Sequence, residues 1–264
     1  MIIKNRLEKI RVFLFFLLLY FAGLAAFGTE VPARADSLVI AGNKHYMDRE
    51  YEKAIDCYTR VINMGYSASS LYFNLGNAFY KQSNFPKAIL YYEKARLLDP
   101  VDEDIRQNLA IANSRIVDKI ENISEFFLKR WISGLAVLLS PDQWALMSLL
   151  IFALSLSAFF LYMFTNGYGL KKLGFTAGVI LVALSLTGIL FMHKRKQLIR
   201  HSRGAIVIAP VVNVKSSPDE QGTSVFVLHE GTRVVLTDSV QQWKEVRIPD
   251  GNKGWVEDRD LAKI

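Results

Sequence analysis

The chain has a single cysteine, Cys57, in 264 residues. No intrachain disulfide can form, so the fold is not a disulfide scaffold. Histidine is almost as scarce. His45, His193, His201 and His229 are scattered, and no pair has the spacing of metal ligands. No Gly-rich phosphate-binding loop occurs either. A cysteine nucleophile would need a histidine partner, and only His45 is near in sequence. Cys57 therefore reads as a packed thiol. The residues point to no catalytic set, no metal and no cofactor.

The soluble parts also lack an excess of positive charge. The whole chain carries a net charge of +7. Residues 36–120 hold eleven basic and eleven acidic groups, and residues 204–264 hold seven basic and nine acidic. The excess lies beside apolar stretches, in residues 1–35 and 121–203. A nucleic-acid binder needs its basic face on the binding module, so this class is set aside. Hydrophobic residues make up 51% and charged residues 22%, with a mean hydropathy of +0.19. That balance suits soluble modules joined to membrane segments.

Three apolar runs carry the membrane reading. The N-terminus is basic through Arg11, then uncharged from Val12 to Gly28, and ends on Ala33-Arg34-Ala35. This is the pattern of a secretory signal, with an uncleaved anchor as the alternative over residues 1–35. Trp144–Phe164 and Leu173–Met192 each run without a charge. Each is as long as a membrane span needs. The expected spans are 143–164 and 171–192, preceded by an amphipathic juxtamembrane segment, 121–142. Ser140, Pro141 and Gln143 form a capping box with proline at the first helical position. Trp131, Trp144 and Tyr162 suit the headgroup layer. The short loop between the spans makes a hairpin, so both flanks face one side of a bacterial inner membrane. The signal places that side in the periplasm. The five basic residues of segment 193–203, read as a linker, argue for the cytoplasm. The first segment is taken to dominate.

Residues 36–120 repeat themselves. Gly42 matches Gly76, Tyr46 matches Tyr80, Ala54 matches Ala88 and Tyr58 matches Tyr92, each at an offset of 34. The small residues let paired helices approach, and the aromatics fill the remaining space. A third helix begins near Asp102, with an acidic first turn, and runs to about Ile120 as a cap. The unit is expected to fold alone. These residues resemble the tetratricopeptide (TPR) family. The resemblance implies a concave groove for a peptide or protein partner, lined by Asn43, Tyr46, Asn77 and Tyr80. Gly42, Ala54, Tyr58, Gly76, Ala88 and Tyr92 would be packing residues. Some TPR grooves clamp a terminal carboxylate with asparagines and basic groups. Val39, Phe73 and Gln107 precede the asparagine sites by four residues and none is basic, which argues against a clamp.

Residues 204–264 change period. Val207–Val214, Val225–Val227, Gly231–Leu236 and Trp243–Ile248 are strand candidates, and Pro249–Gly254 is turn chemistry before Trp255-Val256. Short strands with Gly/Pro turns indicate a small β-barrel. The order Val212–Pro218, Leu228–Gly231, Trp243 and Gly254-Trp-Val256 resembles the bacterial SH3-like family. Trp243 and Trp255 are its core or ligand platform. Such domains bind wall peptides or protein partners.

The expected fold class is therefore a multidomain membrane protein: an all-α TPR helical repeat, a two-helix transmembrane hairpin and a C-terminal all-β SH3-like barrel. The whole order of segments is similar to the BatE family of the Bacteroides aerotolerance (Bat) operon. That resemblance implies, as partners, membrane proteins with von Willebrand A domains and a MoxR-type AAA+ ATPase system. The expected function is a non-enzymatic scaffold at the cell envelope. The alternative is an envelope module that binds peptidoglycan through its SH3-like domain and positions a wall enzyme.

Overall fold

The computed structural model describes residues 33–119 and 134–264. The signal segment through Pro32 and the stretch 120–133, with Trp131, lie outside the described residues. The described chain divides into two compact units. One joins the N-terminal helices to the C-terminal strands. The other is a pair of long apolar helices.

In the first unit, α1 (Ala33–Met47), α2 (Tyr51–Asn63), α3 (Ser69–Lys81) and α4 (Phe85–Leu98) form two helix–turn–helix repeats, followed by α5 (Glu103–Asn113). The 34-residue offset is visible in the backbone. Arg49 and Ser83 occupy equivalent turn positions, at φ 62° and 60°, and each N–H bonds back to the tyrosine three residues earlier. The packing residues repeat in the same way. A Cβ at Gly42 would stand 2.6 Å from the Tyr58 ring, and one at Gly76 would stand 2.7 Å from the Tyr92 ring. Each tyrosine therefore lies flat on a bare helix backbone. Ala54 and Ala88 are fully buried where the second helices meet the first. Asp102 caps α5 by accepting the N–H of Ile105 at 3.1 Å.

Two features depart from expectation at the ends of this repeat. Ala35, expected beside a cleavage site, lies in the first turn of α1 and is buried in the repeat core. The capping helix ends at Asn113, not near Ile120. Asn113 and Ser114 are weak helix formers, and the Ser114 hydroxyl turns back onto the Ile111 carbonyl at 2.7 Å. The chain then leads Ile116 and Asp118 toward the strands.

Those strands are β1 (Gly204–Val207), β2 (Val211–Lys215), β3 (Ser224–His229), β4 (Arg233–Val240), β5 (Trp243–Arg247), β6 (Lys253–Glu257) and β7 (Leu261–Lys263). They form one antiparallel sheet in the order β3-β2-β6-β5-β4-β1-β7. Every strand contributes a residue to one core, from Val207 and Val214 through Val246 and Val256 to Leu261. A flat sheet could not gather them, so the sheet coils on itself as an SH3-like domain does. The single strand expected over Val207–Val214 is two strands, broken before Pro210, which has no N–H to donate to a ladder. β7 follows a short 3₁₀ turn, Asp258–Asp260, and lies beyond the strands read from sequence.

The helical repeat does not close its own core. β1 is buried on both faces. Ala205 and Val207 point into the strand core, whereas Ile206 is fully buried in the core of the helices, with Ala262 and Ile264 packed against it. The strand layer thus covers α4, where the missing second helix of a third repeat would sit. Residues 36–120 were expected to fold alone; in the structure their core is shared with Ile206 of β1.

The second unit contains α6 (Pro141–Phe164) and α7 (Tyr168–Arg200), both long and apolar enough to cross a membrane. The Ser140–Gln143 capping box is complete in both directions. Small residues let the helices touch. A Cβ at Gly174 would stand 2.8 Å from the Ala158 carbonyl, and one at Gly178 would stand 2.9 Å from the Phe159 ring. The Ser185 hydroxyl donates across the pair to the Ser148 carbonyl at 2.9 Å. Close backbone approach plus an interhelical hydrogen bond is how helices associate in lipid. Residues 193–200, expected as part of a basic linker, continue α7. Lysine, arginine, glutamine and leucine are good helix formers, and no Gly or Pro stops the helix before Gly204. At 1.5 Å per residue α7 is about 50 Å long, well beyond a hydrocarbon core of about 30 Å.

Candidate functional site: an asparagine–tyrosine ladder in the repeat groove

Asn43 and Asn77 lie one helical turn before the C-terminal ends of α1 and α3. The Asn77 Oδ1 accepts the Tyr92 hydroxyl at 2.7 Å and the Asn108 Nδ2 at 2.9 Å. One repeat earlier, the Asn43 Oδ1 accepts the Tyr58 hydroxyl at 2.7 Å and the Asn74 Nδ2 at 3.2 Å. The same three-residue set therefore appears twice, every member shifted by 34. Two donors on each Oδ1 fix the orientation of the amide. The Nδ2 groups of Asn43 and Asn77 have no hydrogen-bond partner among the described residues, so each can donate to an incoming acceptor.

Burial keeps the two tyrosines protonated. Desolvation, with Tyr46 and Cys57 nearby, pushes the Tyr58 phenol up to about 12. Desolvation raises Tyr92 further, again with Tyr46 adding to it. Both hydroxyls are donors across the whole physiological range. The tyrosines expected only to pack thus do two things: the ring lies on a glycine and the hydroxyl sets an asparagine.

A cavity of about 220 Å³ opens beside this ladder. Tyr46, Asn77, Tyr80, Lys81, Tyr92, Asn108 and Ile111 line it. Three of the four expected groove residues, Tyr46, Asn77 and Tyr80, thus meet around one cavity. Asn43 does not line it, and holds the equivalent place one repeat earlier. The tyrosine rings are held edge-on. Tyr46 packs against Tyr51 and Tyr80 against Phe85, both with centroids 5.5 Å apart and planes at 62°. Asn74, Asn108, Lys81 and Ile111 were not expected. Asn74 and Asn108 stand 34 apart, so the repeat period could have found them.

In the strand domain, Trp243 is buried at 6% exposure and Trp255 is half-buried. Cys57 is buried in α2. Among the described residues no group of three His, Cys, Asp or Glu side chains could hold a metal ion. Two histidines face carboxylates: His45 Nδ1 lies 2.6 Å from Glu50, and His229 Nδ1 lies 2.8 Å from Asp118. The second pair joins residues 111 apart in sequence.

Two family models match the chain. The tetratricopeptide repeat matches residues 69–101, which are α3, α4 and the turn after them. The bacterial SH3 domain matches residues 210–262, from the start of β2 into β7. The first helical repeat, α1 and α2, lies outside the first match, yet it carries the same glycine, tyrosine and asparagine contacts. No curated protein matches the chain. TPR and bacterial SH3 domains are typically non-catalytic interaction modules. They suggest protein partners, and the SH3 domain suggests peptidoglycan as well.

Proposed function

We propose that the protein is a non-enzymatic, membrane-anchored scaffold that binds a protein partner in its TPR groove at the cell envelope. The observation that carries this reading is the duplicated asparagine–tyrosine set. It holds two amide donors in fixed orientation, one per repeat, and the cavity walled by tyrosines opens beside that of Asn77. Such an array suits the main-chain carbonyls of an extended peptide. Aromatic walls supply contact area with few torsions to freeze. The two apolar helices tie the groove to a bilayer, which raises its effective concentration toward membrane-bound partners. The similarity to the BatE family suggests those partners: membrane proteins with von Willebrand A domains, served by a MoxR-type AAA+ ATPase in an aerotolerance system. The proposed site is a bacterial inner membrane, with both soluble domains in the periplasm.

Cross-linking recovery of partners from native membranes tests the groove. The Tyr46→Ala/Tyr80→Ala chain should lose recovery while its circular dichroism stays native. Unchanged recovery would remove the groove from the function. Reporter fusions after Ile264 test the orientation: active alkaline phosphatase fits a periplasmic end, and activity from a cytoplasmic reporter alone would reverse it.

A second reading rests on the bacterial SH3 match over residues 210–262. In it the strand domain binds peptidoglycan and the repeats position a wall enzyme. Co-sedimentation of the chain with purified sacculi separates the two, because a groove-only scaffold stays in the supernatant.

A further inference from the structure

A second cleft opens where the repeat meets the strand domain, and its chemistry differs from that of the groove. Its volume is about 670 Å³. At its base the Glu93 carboxylate is buried, with 6% of the side chain exposed. Arg96 of α4 donates to one Glu93 oxygen at 2.6 Å, and the Nε of Arg233 in β4 lies 3.5 Å from the other. One guanidinium balances the buried carboxylate. The second leaves this group with a net positive charge.

Both arginine side chains are partly exposed, 38% for Arg96 and 45% for Arg233. Each uses one edge on Glu93, and its remaining N–H groups have no partner among the described residues. Glu93 thus acts as a clamp that holds two forks in place. Lys119 adds a third cation to the cleft wall. Asp118 stands on the same wall as a carboxylate, its oxygens accepting the His229 N–H and the Thr232 hydroxyl and facing the His229 ring. The rest of the wall is mixed. Leu109, Ile116 and Pro249 are apolar, and Asn113 and Ser114 can bond an amide.

We infer that this cleft binds a peptide through a free terminal carboxylate, held by Arg96 and Arg233. Guanidiniums match a carboxylate as forks. The Arg96–Arg233–Lys119 cations exceed Glu93 and Asp118 by one charge, which suits a monoanion better than a phosphate dianion. A space of this size is far larger than a lone anion needs and falls in the range of pockets for larger ligands. The apolar wall beside the charges suits peptide side chains. This site is independent of the groove.

The test uses the full chain in nanodiscs and the probe N-acetyl-Gly-Ala-Ala, read by calorimetry. Free-acid probes with L- or D-alanine ends are compared with the C-terminal amide and with inorganic phosphate. The free acid should bind at least about tenfold tighter than the amide, as expected for losing a charge-assisted contact. Preference for the D-ended probe would assign a wall-type peptide, and preference for the L-ended probe a protein tail. Arg233→Gln should lose binding by about tenfold or more. Lys119→Gln, an exposed change that leaves the Glu93 clamp intact, should weaken it several-fold. Asn77→Ala in the groove should leave it unchanged. Equal binding of acid and amide, displacement by phosphate at matched concentration, or loss with Asn77→Ala but not Arg233→Gln would each overturn the assignment.

Discussion

The carboxylate of Asp118 accepts the backbone N–H of His229 at 2.8 Å, across 111 residues of sequence. The same oxygen accepts the Thr232 hydroxyl at 2.6 Å, and the other faces the His229 ring. One side chain from the tail of the repeat therefore satisfies the turn between β3 and β4. Gly231 in that turn has φ 87°, and a side chain there would run into Ile116. The tail and the turn are fitted to each other both in shape and in hydrogen bonding.

Asp118→Ala should therefore loosen the junction. It leaves a part-buried backbone donor and the nearly inaccessible Thr232 hydroxyl without that partner, which costs about 1–3 kcal/mol. Amide hydrogen exchange at 229–232 reads this out, and unchanged protection would count against the contact. The junction also depends on pH. Burial raises the Asp118 carboxyl, but the bonds from Thr232 and His229 outweigh it and hold it below the usual carboxylate range. A carboxyl lowered in the folded state stabilises above its unfolded value, about 3.9, and that stability is lost as pH falls through the folded value. Protection at 229–232 should fall below about pH 4.

Ile206 joins the strand domain to the helical core. It lies in β1, yet it is fully buried in the helical core that also contains Ile89 and Tyr92. Ile206→Ala should destabilise by about 2–4 kcal/mol, as for a large-to-small core change. The helical signal at 222 nm and the Trp243 fluorescence should shift to lower denaturant together. Separate transitions, with only the tryptophan affected, would show independent domains.

What sequence could reveal follows from distance along the chain. Gly42 and Gly76, with Tyr58 and Tyr92, are local and periodic, so the repeat was legible. Asn43 and Asn77 followed from the family pattern. Their partners Asn74 and Asn108 lie 31 residues on, and only the stacking of neighbouring helices brings them close. The Asp118–His229 and Glu93–Arg233 pairs span the two apolar helices and have no local pattern at all. Ile206 left a trace, since Gly204-Ala-Ile-Val207 is apolar on both faces where a half-exposed strand would alternate. The helical state of residues 193–200 was hidden by reading charge as the end of order. Charge ends a membrane span, but it does not end a helix.

Ala35 bears on the fate of the N-terminus. It is 1% exposed and packs in the repeat core, in the first turn of α1. Cleavage after Ala35 would remove a core side chain together with the start of that helix. Terminal sequencing of protein purified from membranes should recover chains that retain Ala35, as an uncleaved anchor would. A mature end at Asp36 would favour the signal peptide over the anchor.

The packing role of Tyr92 is separable from its role in the groove. Its ring covers Gly76 and its hydroxyl sets the Asn77 amide at 2.7 Å. Gly76→Ala forces a methyl group to within 2.7 Å of that ring, so it should destabilise by about 1–3 kcal/mol through overpacking. Tyr92→Phe keeps the ring and removes only the hydroxyl. Asn77 Oδ1 then retains Asn108 as its one donor, and the cost to folding should stay near 1 kcal/mol. The amide is no longer held from two sides, so its Nδ2 loses its fixed aim. Tyr92→Phe should therefore weaken partner recovery from membranes more than its small change in melting would explain, and Tyr58→Phe should do the same for the first repeat. Full recovery with Tyr92→Phe would mean that the Asn77 amide takes no part in holding the partner.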